Sequence, residues 1–481
     1  MSKISFGTDG WRAVISDDFT FDNVKTVAQA VSDYVNREKK RIRKRGSEIF
    51  GRKPAIVVGY DTRFMSEKYA ELIACVAAAN GIKVILADRY VPTPSVSLYI
   101  RQKNILGGVM VTASHNPAMY NGIKYKGYFG GSVGKDITGY MESRLHKAGV
   151  KFLDKDRAVK TGLLVYEDIL PLHMGLARKY VKFNLLKRSG FKVLVDSMNG
   201  TGAHHIEDLL RGTNNRVTTI NGDRDPYFGG RSPEPNEVHL ESTGRIVKKG
   251  DFDVCLATDG DADRLAVILP DGHVISGHKV MTLLLLHMLE DRGLKGGVVQ
   301  TICGTGLINR IAGKYGLPLY ETPVGFKYIC ELFEAKDILI GGEETGGVAY
   351  KGWLPERDGI VSGLLILEMM RYRRQGLAEI LKGIDKEYGE FVYKRFDLRF
   401  SAEKKKALLG RLRKNPFTSV LGLKVKDVKS YDGVKFVLED GSWVMLRPSG
   451  TEPKLRIYSE AHSEKEAKRL IDFGKNYAMA V

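Results

Sequence analysis

Three stretches of the chain repeat one order of apolar and amphipathic segments. The first begins at Ala55 and ends with the apolar run ILGGVMV, residues 105–111. The same order restarts at residues 191–210 and again at residues 296–347. Short apolar runs bounded by turn residues predict buried strands, and the longer amphipathic segments between them predict helices. The pattern therefore predicts three α/β units that each end a strand in a polar loop.

The last part of the chain, from about Phe391, has a different pattern. A predicted strand at residues 392–400 precedes a predicted helix from Ala402 to Lys414. Two apolar runs within residues 433–448 are then joined by Asp-Gly, which is typical of a hairpin turn. One more strand and an amphipathic helix follow, so this part is predicted to be a smaller α+β domain.

The fold class is thus α/β, with three related domains that contain mixed sheets and a C-terminal α+β domain. A single α/β barrel would need uninterrupted alternation, and the long polar segments at residues 126–165 and 221–250 break it. The predicted domains are residues 1–155, 156–268, 269–388 and 389–481.

Charge is the feature of the composition that bears on function. The 481 residues carry a formal net charge of +18, which favours an anionic partner. The densest basic run, REKKRIRKRG at residues 37–46, has no interleaved aromatic residues and closes a predicted helix that begins near Phe21. We interpret this run as a solvated helix end and expect no nucleic-acid partner. A small phosphorylated substrate would benefit from the same positive field.

Membrane and secretion signals are missing from the sequence pattern. No apolar run approaches the roughly 20 residues that span a bilayer, and the start, MSKISFGTDGWR, lacks the apolar region of a signal peptide. We expect a cytoplasmic protein with no membrane partner. The four cysteines lie among apolar neighbours and are interpreted as core residues. The sequence leaves the oligomeric state open.

An acidic motif follows the predicted strand FDVCLA of the second unit. In DGDADR, Asp259, Asp261 and Asp263 stand at alternate positions, so their carboxylates can converge on one hard cation such as Mg²⁺. An EF-hand calcium loop also opens with Asp-x-Asp-x-Asp, but here Arg264 holds its sixth position and Pro270 its twelfth. The alternative is a solvated acidic turn.

Two further loops have side chains suited to a phosphorylated sugar. RPSGTEPKLR combines hydroxyls, guanidinium groups and a compact turn, which suits a phosphate, although a surface turn is the alternative. Its candidate phosphate-binding residues are Arg447, Ser449, Gly450, Thr451 and Arg456. GGEETGG supplies Glu343, Glu344 and Thr345, whose oxygens suit sugar hydroxyls.

The loop VTASHNP, at the end of the first unit, presents a serine in an unusual setting. Ser114 lies outside any Gly-x-Ser-x-Gly motif, and the adjacent His115 is poorly placed to be its base, which argues against a hydrolase. A phosphorylated Ser114 would carry roughly −1.5 to −2 charges, and a cation held by three aspartates would offset them. Ser114 is therefore a candidate carrier of phosphate.

TASHNP, DGDADR, GEETGG and RPSGTEP, in this order, resemble the four signature loops of the α-D-phosphohexomutase superfamily. FGTDGWR, near the start of the chain, is similar to the opening motif of that superfamily. The resemblance covers essentially the whole chain. It implies four domains around a central cleft, and an enzyme that interconverts hexose 1-phosphate and hexose 6-phosphate through a phosphoserine and a sugar bisphosphate.

The resemblance also implies roles for individual residues. Ser114 would be the phosphoserine and, with the three aspartates, would bind Mg²⁺. Arg12 and Arg264 would lie beside the transferring phosphoryl group. Lys124, in YNGIK, falls at the position of the general acid or base, with His115 as a second candidate. As a base near neutrality, Lys124 would need a lowered pKa, which nearby Mg²⁺ and arginines could supply.

The sugar is less defined by the motifs. ETPVGFKYI and PERDGI resemble the phosphoglucomutase side of the superfamily, with Lys327 and Arg357 as further substrate-binding candidates. Many phosphomannomutase and phosphoglucosamine mutase relatives have a histidine where this chain has Gly347, and Thr345 replaces a commoner serine. Glucose phosphates are expected, with glucose 1,6-bisphosphate as activator. Mannose, glucosamine and pentose phosphates stay open, as does a catalytically silent phosphosugar-binding protein.

Overall fold

The computed structural model describes residues 4–7, 9–44, 46–449 and 454–480. These residues form three mixed sheets flanked by helices and one antiparallel sheet close to the C-terminus. This arrangement confirms the prediction of three α/β units followed by an α+β unit.

The first sheet has six strands in the order β1-β5-β4-β2-β3-β6. Its central strands are parallel, and β5 returns antiparallel to β4. The longest helix, α1, is capped by the Thr20 hydroxyl and buries an apolar stripe against this sheet. The elements are β1 (Trp11–Val14), α1 (Phe21–Arg41), β2 (Lys53–Tyr60), α2 (Ser66–Ala79), β3 (Lys83–Ala87), α3 (Thr93–Lys103), β4 (Ile105–Val111), β5 (Tyr120–Lys126), α4 (Lys135–Arg144), α5 (Lys155–Lys160) and β6 (Leu164–Glu167).

The second sheet has the order β11-β10-β9-β7-β8, with β7, β8 and β9 parallel and an antiparallel return after the acidic motif. The elements are α6 (Leu170–Tyr180), α7 (Phe183–Leu186), β7 (Lys192–Asp196), α8 (His205–Leu210), β8 (Arg216–Ile220), α9 (Glu241–Lys249), β9 (Val254–Thr258), β10 (Leu265–Ile268) and β11 (Val274–Ile275).

The third sheet repeats the plan with four strands in the order β13-β12-β14-β15. The second and third sheets share one continuous apolar core, to which α10 and α13 contribute fully buried leucines. The elements are α10 (Gly277–Leu286), β12 (Gly297–Thr301), α11 (Gly306–Lys314), β13 (Leu319–Thr322), α12 (Phe326–Ala335), β14 (Ile338–Gly342), β15 (Val348–Tyr350), α13 (Gly359–Arg373) and α14 (Leu377–Tyr388).

The fourth sheet is antiparallel, with the order β16-β21-β20-β19-β18-β17, and two helices pack against it. The predicted hairpin is present, since β19 pairs with β20 around the Asp440-Gly441 turn. The elements are β16 (Val392–Arg399), α15 (Ala402–Lys414), β17 (Ser419–Val420), β18 (Leu423–Lys429), β19 (Val434–Leu438), β20 (Trp443–Pro448), β21 (Lys454–Ala461) and α16 (Glu464–Met479).

Two strands lie beyond the domain limits that the sequence suggested. β6 pairs with β3 in the first sheet although it follows residue 155, and β11 pairs with β10 in the second sheet although it follows residue 268. Both are short strands at the sheet edge, of four and two residues, so the sequence pattern did not show which sheet they join.

Two other expectations bear on surface and core. All four cysteines are buried and free, which confirms their interpretation as core residues. The basic run begins inside α1 and supplies the three basic residues of its last turn, as the interpretation of a helix end predicts. Among the described residues, no helix combines the length and apolar character needed to cross a membrane.

Candidate active site

Ser114 lies in a tight loop between β4 and β5 and is fully buried. Its backbone has a φ of +53°, a left-handed conformation that a serine rarely adopts. The Thr112 hydroxyl accepts a hydrogen bond from the Ser114 N–H at 2.8 Å. The loop thus turns the Ser114 hydroxyl away from the sheet and toward the second domain.

A buried arginine that the sequence reasoning missed organises this loop. The Arg63 guanidinium donates to the carbonyls of Ser114 and Asn116, each at 2.6 Å, and also to those of Pro117 and Tyr120. Asp61 holds Arg63 through a fully buried ion pair at 3.0 Å. The signal was present in GYDTR, where charged residues follow a strand directly.

The three aspartates of DGDADR converge as predicted. One carboxylate oxygen from each lies within 4.8 Å of the others, and all three side chains are buried. Asp259 Oδ2 accepts a hydrogen bond from the Ser114 hydroxyl at 2.9 Å. Among the described residues, Asp261 Oδ1 and Asp263 Oδ1 have no hydrogen-bond partner. Buried carboxylate oxygens without donors fit the all-oxygen ligand set that Mg²⁺ prefers.

The pKa values of Asp259 and Asp261 reflect the crowding of three buried acids. Burial, and then repulsion from Asp263 and Asp261, raises the pKa of Asp259 well above its usual value. Burial would raise the pKa of Asp261 too, but Lys124, with help from the Thr93 hydroxyl and Arg357, holds that pKa below its usual value. A divalent cation among the three would relieve the repulsion that Lys124 offsets only in part.

Lys124 extends from β5 into this cluster and is almost fully buried. Its Nζ lies 2.8 Å from Asp261 Oδ2, 3.2 Å from Asp263 Oδ2 and 3.0 Å from Asp9 Oδ2. Burial alone would lower its pKa, but these carboxylates raise it above the usual lysine value. In this arrangement carboxylates surround the ammonium group, so the pKa of Lys124 lies above its usual value, which suits a proton donor rather than the base that would need a lowered pKa.

His115 has the opposite electrostatic environment. Burial, followed by the charges of Arg264 and Arg12, lowers the pKa of His115 well below its usual value. Its Nδ1 lies 3.4 Å from the Ser114 hydroxyl. The imidazole is therefore neutral and close to Ser114. Arg395 and Arg456, from the C-terminal domain, contribute to the same pKa shift.

Arg12 lies against the Ser114 loop, and Arg264 lies against the three aspartates. Arg12 Nη1 donates to Asn116 Oδ1 at 2.8 Å, which fixes it to the Ser114 loop. Arg264 Nε lies 3.8 Å from Asp259 and 3.9 Å from Asp263, beyond hydrogen-bond distance. The structure therefore brings both predicted arginines to the serine and the acidic cluster.

Arg357, in PERDGI, connects the cluster of three aspartates to the GGEETGG loop. Its Nη2 lies 2.8 Å from Asp263 Oδ2, and its Nη1 lies 3.4 Å from Glu343 Oε2. Glu343 is buried, and burial raises its pKa to about 6 although Arg357 opposes the shift. The Thr345 hydroxyl is buried without a hydrogen-bond partner among the described residues. These groups form a buried polar cluster beside the three aspartates.

Lys327 makes no hydrogen bond to this group of residues within the described ranges. It is the second residue of α12, and burial lowers its pKa. Its Nζ lies 5.5 Å from the ring centre of Tyr328, and within the described ranges no hydrogen bond joins it to Glu343 or Arg357. The structure thus leaves its predicted substrate contact without direct geometric support.

Asp9 is a second functional residue that sequence reasoning missed. The FGTDGWR motif was interpreted for Arg12 alone, yet Asp9 Oδ2 lies 2.7 Å from Arg357 Nη2 as well as near Lys124. Its other oxygen is 3.7 Å from Lys126, which pairs with the fully buried Glu356. An aspartate beside a turn glycine in a short motif was the available signal.

Arg447, at the start of the predicted phosphate loop, is linked through Asp432 to the third domain. Arg447 Nε donates to Asp432 Oδ1 at 2.9 Å, and Asp432 Oδ2 accepts the Val324 N–H of the third domain at 2.8 Å. Arg456, on the neighbouring strand, has its Nε 4.0 Å from Asp397. The Ser449 carbonyl accepts from Lys405 at 2.9 Å. Gly450 and Thr451 lie outside the described residues.

Comparison with known proteins now decides the family. Models for phosphoglucomutase/phosphomannomutase match four consecutive parts of the chain: alpha/beta/alpha domain I at residues 3–150, domain II at 173–272, domain III at 276–388 and the C-terminal domain at 401–473. The chain belongs to the phosphoglucomutase/phosphomannomutase family. It is an intramolecular phosphotransferase of the isomerase class that acts as a phosphohexomutase.

Individual relatives carry different sugar names. The chain is 31% identical over 476 residues to a phosphoglucomutase/phosphomannomutase of Thermococcus kodakarensis, covering 98% of each chain. It is 28% identical to a phosphoglucosamine/phosphogalactosamine mutase of Sulfurisphaera tokodaii, again over 98% of each. A solved structure from Thermus thermophilus, named as a candidate phosphomannomutase, matches with a TM-score of 0.86 and 32% identity over 100% of both chains. The family is therefore defined, and the sugar is not.

Proposed function

We propose that the enzyme interconverts glucose 1-phosphate and glucose 6-phosphate through a phosphorylated Ser114. The observation that carries this proposal is the contact between the Ser114 hydroxyl and Asp259, beside two buried carboxylate oxygens that lack donors. A serine in this position can exchange a phosphoryl group, and the carboxylates can hold the cation that offsets its charge.

Asp259, Asp261 and Asp263, with Ser114, would hold the Mg²⁺. When bound, the ion would act as a Lewis acid and neutralise the charge that develops on the transferring phosphoryl group. The guanidinium groups of Arg12 and Arg264 would stabilise the charge on the oxygens of the same phosphoryl group.

Proton transfer follows from the two opposite pKa shifts. When Ser114 donates its phosphoryl group, the bond from phosphorus to Oγ breaks, a bond to a sugar oxygen forms, and the sugar hydroxyl loses its proton. Neutral His115 can accept the proton that the sugar hydroxyl loses, and protonated Lys124 can give a proton to the Ser114 oxygen that the phosphorus leaves. Ser114 recovers its phosphoryl group from the other end of the sugar bisphosphate, which returns these protons.

Binding of the sugar would use the opposite side of the cleft. Arg447 and Arg456 would bind the phosphate that is not being transferred, since guanidinium groups make paired hydrogen bonds to phosphate oxygens. Glu343 would accept hydrogen bonds from sugar hydroxyls, and Thr345 would donate one. Glu343 is held by Arg357, and the Thr345 hydroxyl has no other partner among the described residues. The bisphosphate must turn around between the two transfers, so this phosphate site has to accept either end.

Glucose is favoured over the other sugars by the motifs around Lys327 and Arg357. A phosphomannomutase activity is the second candidate, because the Thermococcus relative carries both names. The deciding measurement is kcat/KM on a panel of glucose, mannose, glucosamine and pentose 1-phosphates, each after priming with the matching bisphosphate. A preference for mannose or glucosamine would overturn the sugar assignment and leave the phosphoserine mechanism intact.

Intact-mass measurement tests the phosphoserine itself. After incubation with glucose 1,6-bisphosphate, wild-type protein should gain one phosphoryl group and Ser114→Ala none. The matched control is Ser143→Ala, an exposed serine of α4, which should be phosphorylated like wild type. Undiminished mutase activity in Ser114→Ala would contradict the mechanism.

Chelation tests the metal separately. EDTA should abolish turnover and Mg²⁺ should restore it, while Asp261→Asn should lower kcat strongly with a small effect on thermal stability. Turnover that is indifferent to chelation would rule out the role proposed for the acidic cluster.

A further inference from the structure

A second serine, histidine and aspartate are aligned in the molecule, away from the Ser114 loop. The Ser95 hydroxyl lies 2.8 Å from His173 Nδ1, and His173 Nε2 lies 2.8 Å from Asp358 Oδ2. All three side chains are fully buried. Without access for a substrate, this line of residues does not form a hydrolytic site.

The hydrogen bonds of this network are complete with a neutral histidine. Asp358 Oδ2 accepts from His173 Nε2–H and from the Trp353 indole N–H at 3.0 Å, and its Oδ1 accepts the Val361 N–H at the start of α13. The remaining imidazole nitrogen, Nδ1, then accepts from the Ser95 hydroxyl. A fully satisfied buried network fixes the geometry of its members more firmly than apolar packing does.

The three residues come from three parts of the fold. Ser95 lies on α3 beside the first sheet, His173 on α6, and Asp358 at the N-terminus of α13 beside the third sheet. His173 therefore joins the first domain to the third through hydrogen bonds at both ring nitrogens.

Each end of this network adjoins a residue that holds an aspartate of the acidic cluster. Two positions before Ser95, the Thr93 hydroxyl donates to Asp261 Oδ2 at 2.5 Å, and the Thr93 N–H donates to the Asp261 carbonyl at 3.0 Å. One position before Asp358, Arg357 lies 2.8 Å from Asp263 Oδ2. A shift of either end would move the carboxylate that it supports.

We propose that His173 is a positioning residue that sets the separation of Asp261 and Asp263 for cation binding. The inference rests on the proposed function, because it assigns His173 to the metal site named there. His173 does not touch these carboxylates and acts through Thr93 at one end and Arg357 at the other. Outer partners of metal ligands commonly change metal affinity by about 10- to 100-fold when removed.

Direct binding of Mn²⁺ to the unphosphorylated protein, followed by electron paramagnetic resonance, tests this role. His173→Leu should weaken Mn²⁺ binding about 10-fold. Ser95→Ala removes one end of the network and should weaken binding by a smaller factor. His173→Gln retains a donor toward Asp358 and should recover part of the affinity.

The matched control is His287→Leu. His287 is also fully buried and lies between two carboxylates, 2.8 Å from Asp291 and 3.1 Å from Glu368, but it has no contact with the acidic cluster. This variant should lower the melting temperature and leave the Mn²⁺ affinity at the wild-type value. Equal loss of Mn²⁺ affinity in both histidine variants would overturn the proposal, because stability alone would then explain the effect.

Three further outcomes are decisive. Wild-type affinity in His173→Leu would overturn the positioning role, and wild-type affinity in Ser95→Ala would do so if His173→Leu failed to fold. If the wild-type protein bound Mn²⁺ no better than Asp261→Asn, the metal site of the proposed function would be overturned, and this inference with it.

Discussion

The side chain of Arg357 fills the space that a side chain at Gly347 would need. A Cβ atom built on Gly347 would lie 2.3 Å from Cδ of Arg357 and 2.9 Å from its Cγ. No side chain fits at position 347 unless the arginine moves. Arg357 uses this position to reach Asp263 and Asp9, so the glycine is a structural requirement for the arginine and its ion pairs.

Gly347→Ala should therefore lower kcat/KM. The new methyl group would displace the Arg357 side chain and separate it from Asp263, and misplacing a group in an active site by about 1 Å can lower the rate on the order of 100-fold. Steady-state kinetics with glucose 1-phosphate measures the loss. Gly383→Ala is the control, since Gly383 lies within α14 with no atom inside 4 Å of a built Cβ. Unchanged kinetics in Gly347→Ala would show that Arg357 is dispensable.

Asp432 should govern the affinity of the phosphate loop. It accepts Arg447 Nε and the Val324 N–H, and so orients the guanidinium relative to the third domain. Losing a hydrogen bond to a charged group costs about 1.5 to 3 kcal/mol, so Asp432→Ala should raise KM roughly 10-fold or more. The value of kcat should change less, because Asp432 does not contact the acidic cluster.

The control for Asp432 is Asp440→Ala, which removes a carboxylate from the hairpin turn of the same domain, where it accepts hydrogen bonds from Ser442. This variant should keep the wild-type KM. A fall in kcat with unchanged KM in Asp432→Ala would contradict the role in phosphate binding.

Glu343 should impose a pH dependence on sugar binding. Burial raises its pKa to about 6, so the side chain is a carboxylate above that pH and a neutral acid below it. Its ability to accept from sugar hydroxyls should therefore weaken as the pH falls from 7 to 5. Calorimetric Kd values for glucose 6-phosphate across this range measure the effect.

Glu343→Gln provides the comparison, because glutamine keeps the size of the side chain and does not titrate. The substrate phosphate itself titrates in the same range, and its contribution is common to both proteins. The expected result is a steeper pH dependence in wild type than in Glu343→Gln. Parallel curves would assign the whole effect to the substrate.

The sequence predicted those parts of the site that depend on local spacing. The alternate aspartates of DGDADR follow β9 directly, so their convergence could be inferred from three residues and one strand. The hairpin at Asp440-Gly441 and the limits of α15 were predictable for the same reason, since turn chemistry and helical periodicity act over a few residues.

The remaining features depend on contacts between distant parts of the chain. Lys124 has a raised pKa because Asp261 lies 137 positions away in sequence and 2.8 Å away in space. Asp9 and Arg357 are 348 positions apart and form an ion pair. No periodicity encodes such partners, and the motifs gave no sign that carboxylates from distant positions would surround Lys124.

Arg63 should be essential for the stability of the Ser114 loop. Arg63→Ala would leave Asp61 as an uncompensated buried charge and four carbonyl groups without their donor. Removing one partner of a buried pair costs about 3 to 5 kcal/mol, which urea denaturation can measure. Arg63→Lys should recover little, because one ammonium group cannot reach carbonyls on several sides of a planar guanidinium.

The control is Arg245→Ala on α9, where Arg245 is 62% exposed and its partner Glu241 is 72% exposed. Such a surface pair contributes about 0.3 to 0.5 kcal/mol, so the control should unfold almost like wild type. The decisive comparison is the pair of substitutions under the same conditions. An equally small loss for both would mean that the carbonyls of the Ser114 loop and the Asp61 carboxylate find other donors, and Arg63 would not be what holds Ser114 in its left-handed conformation.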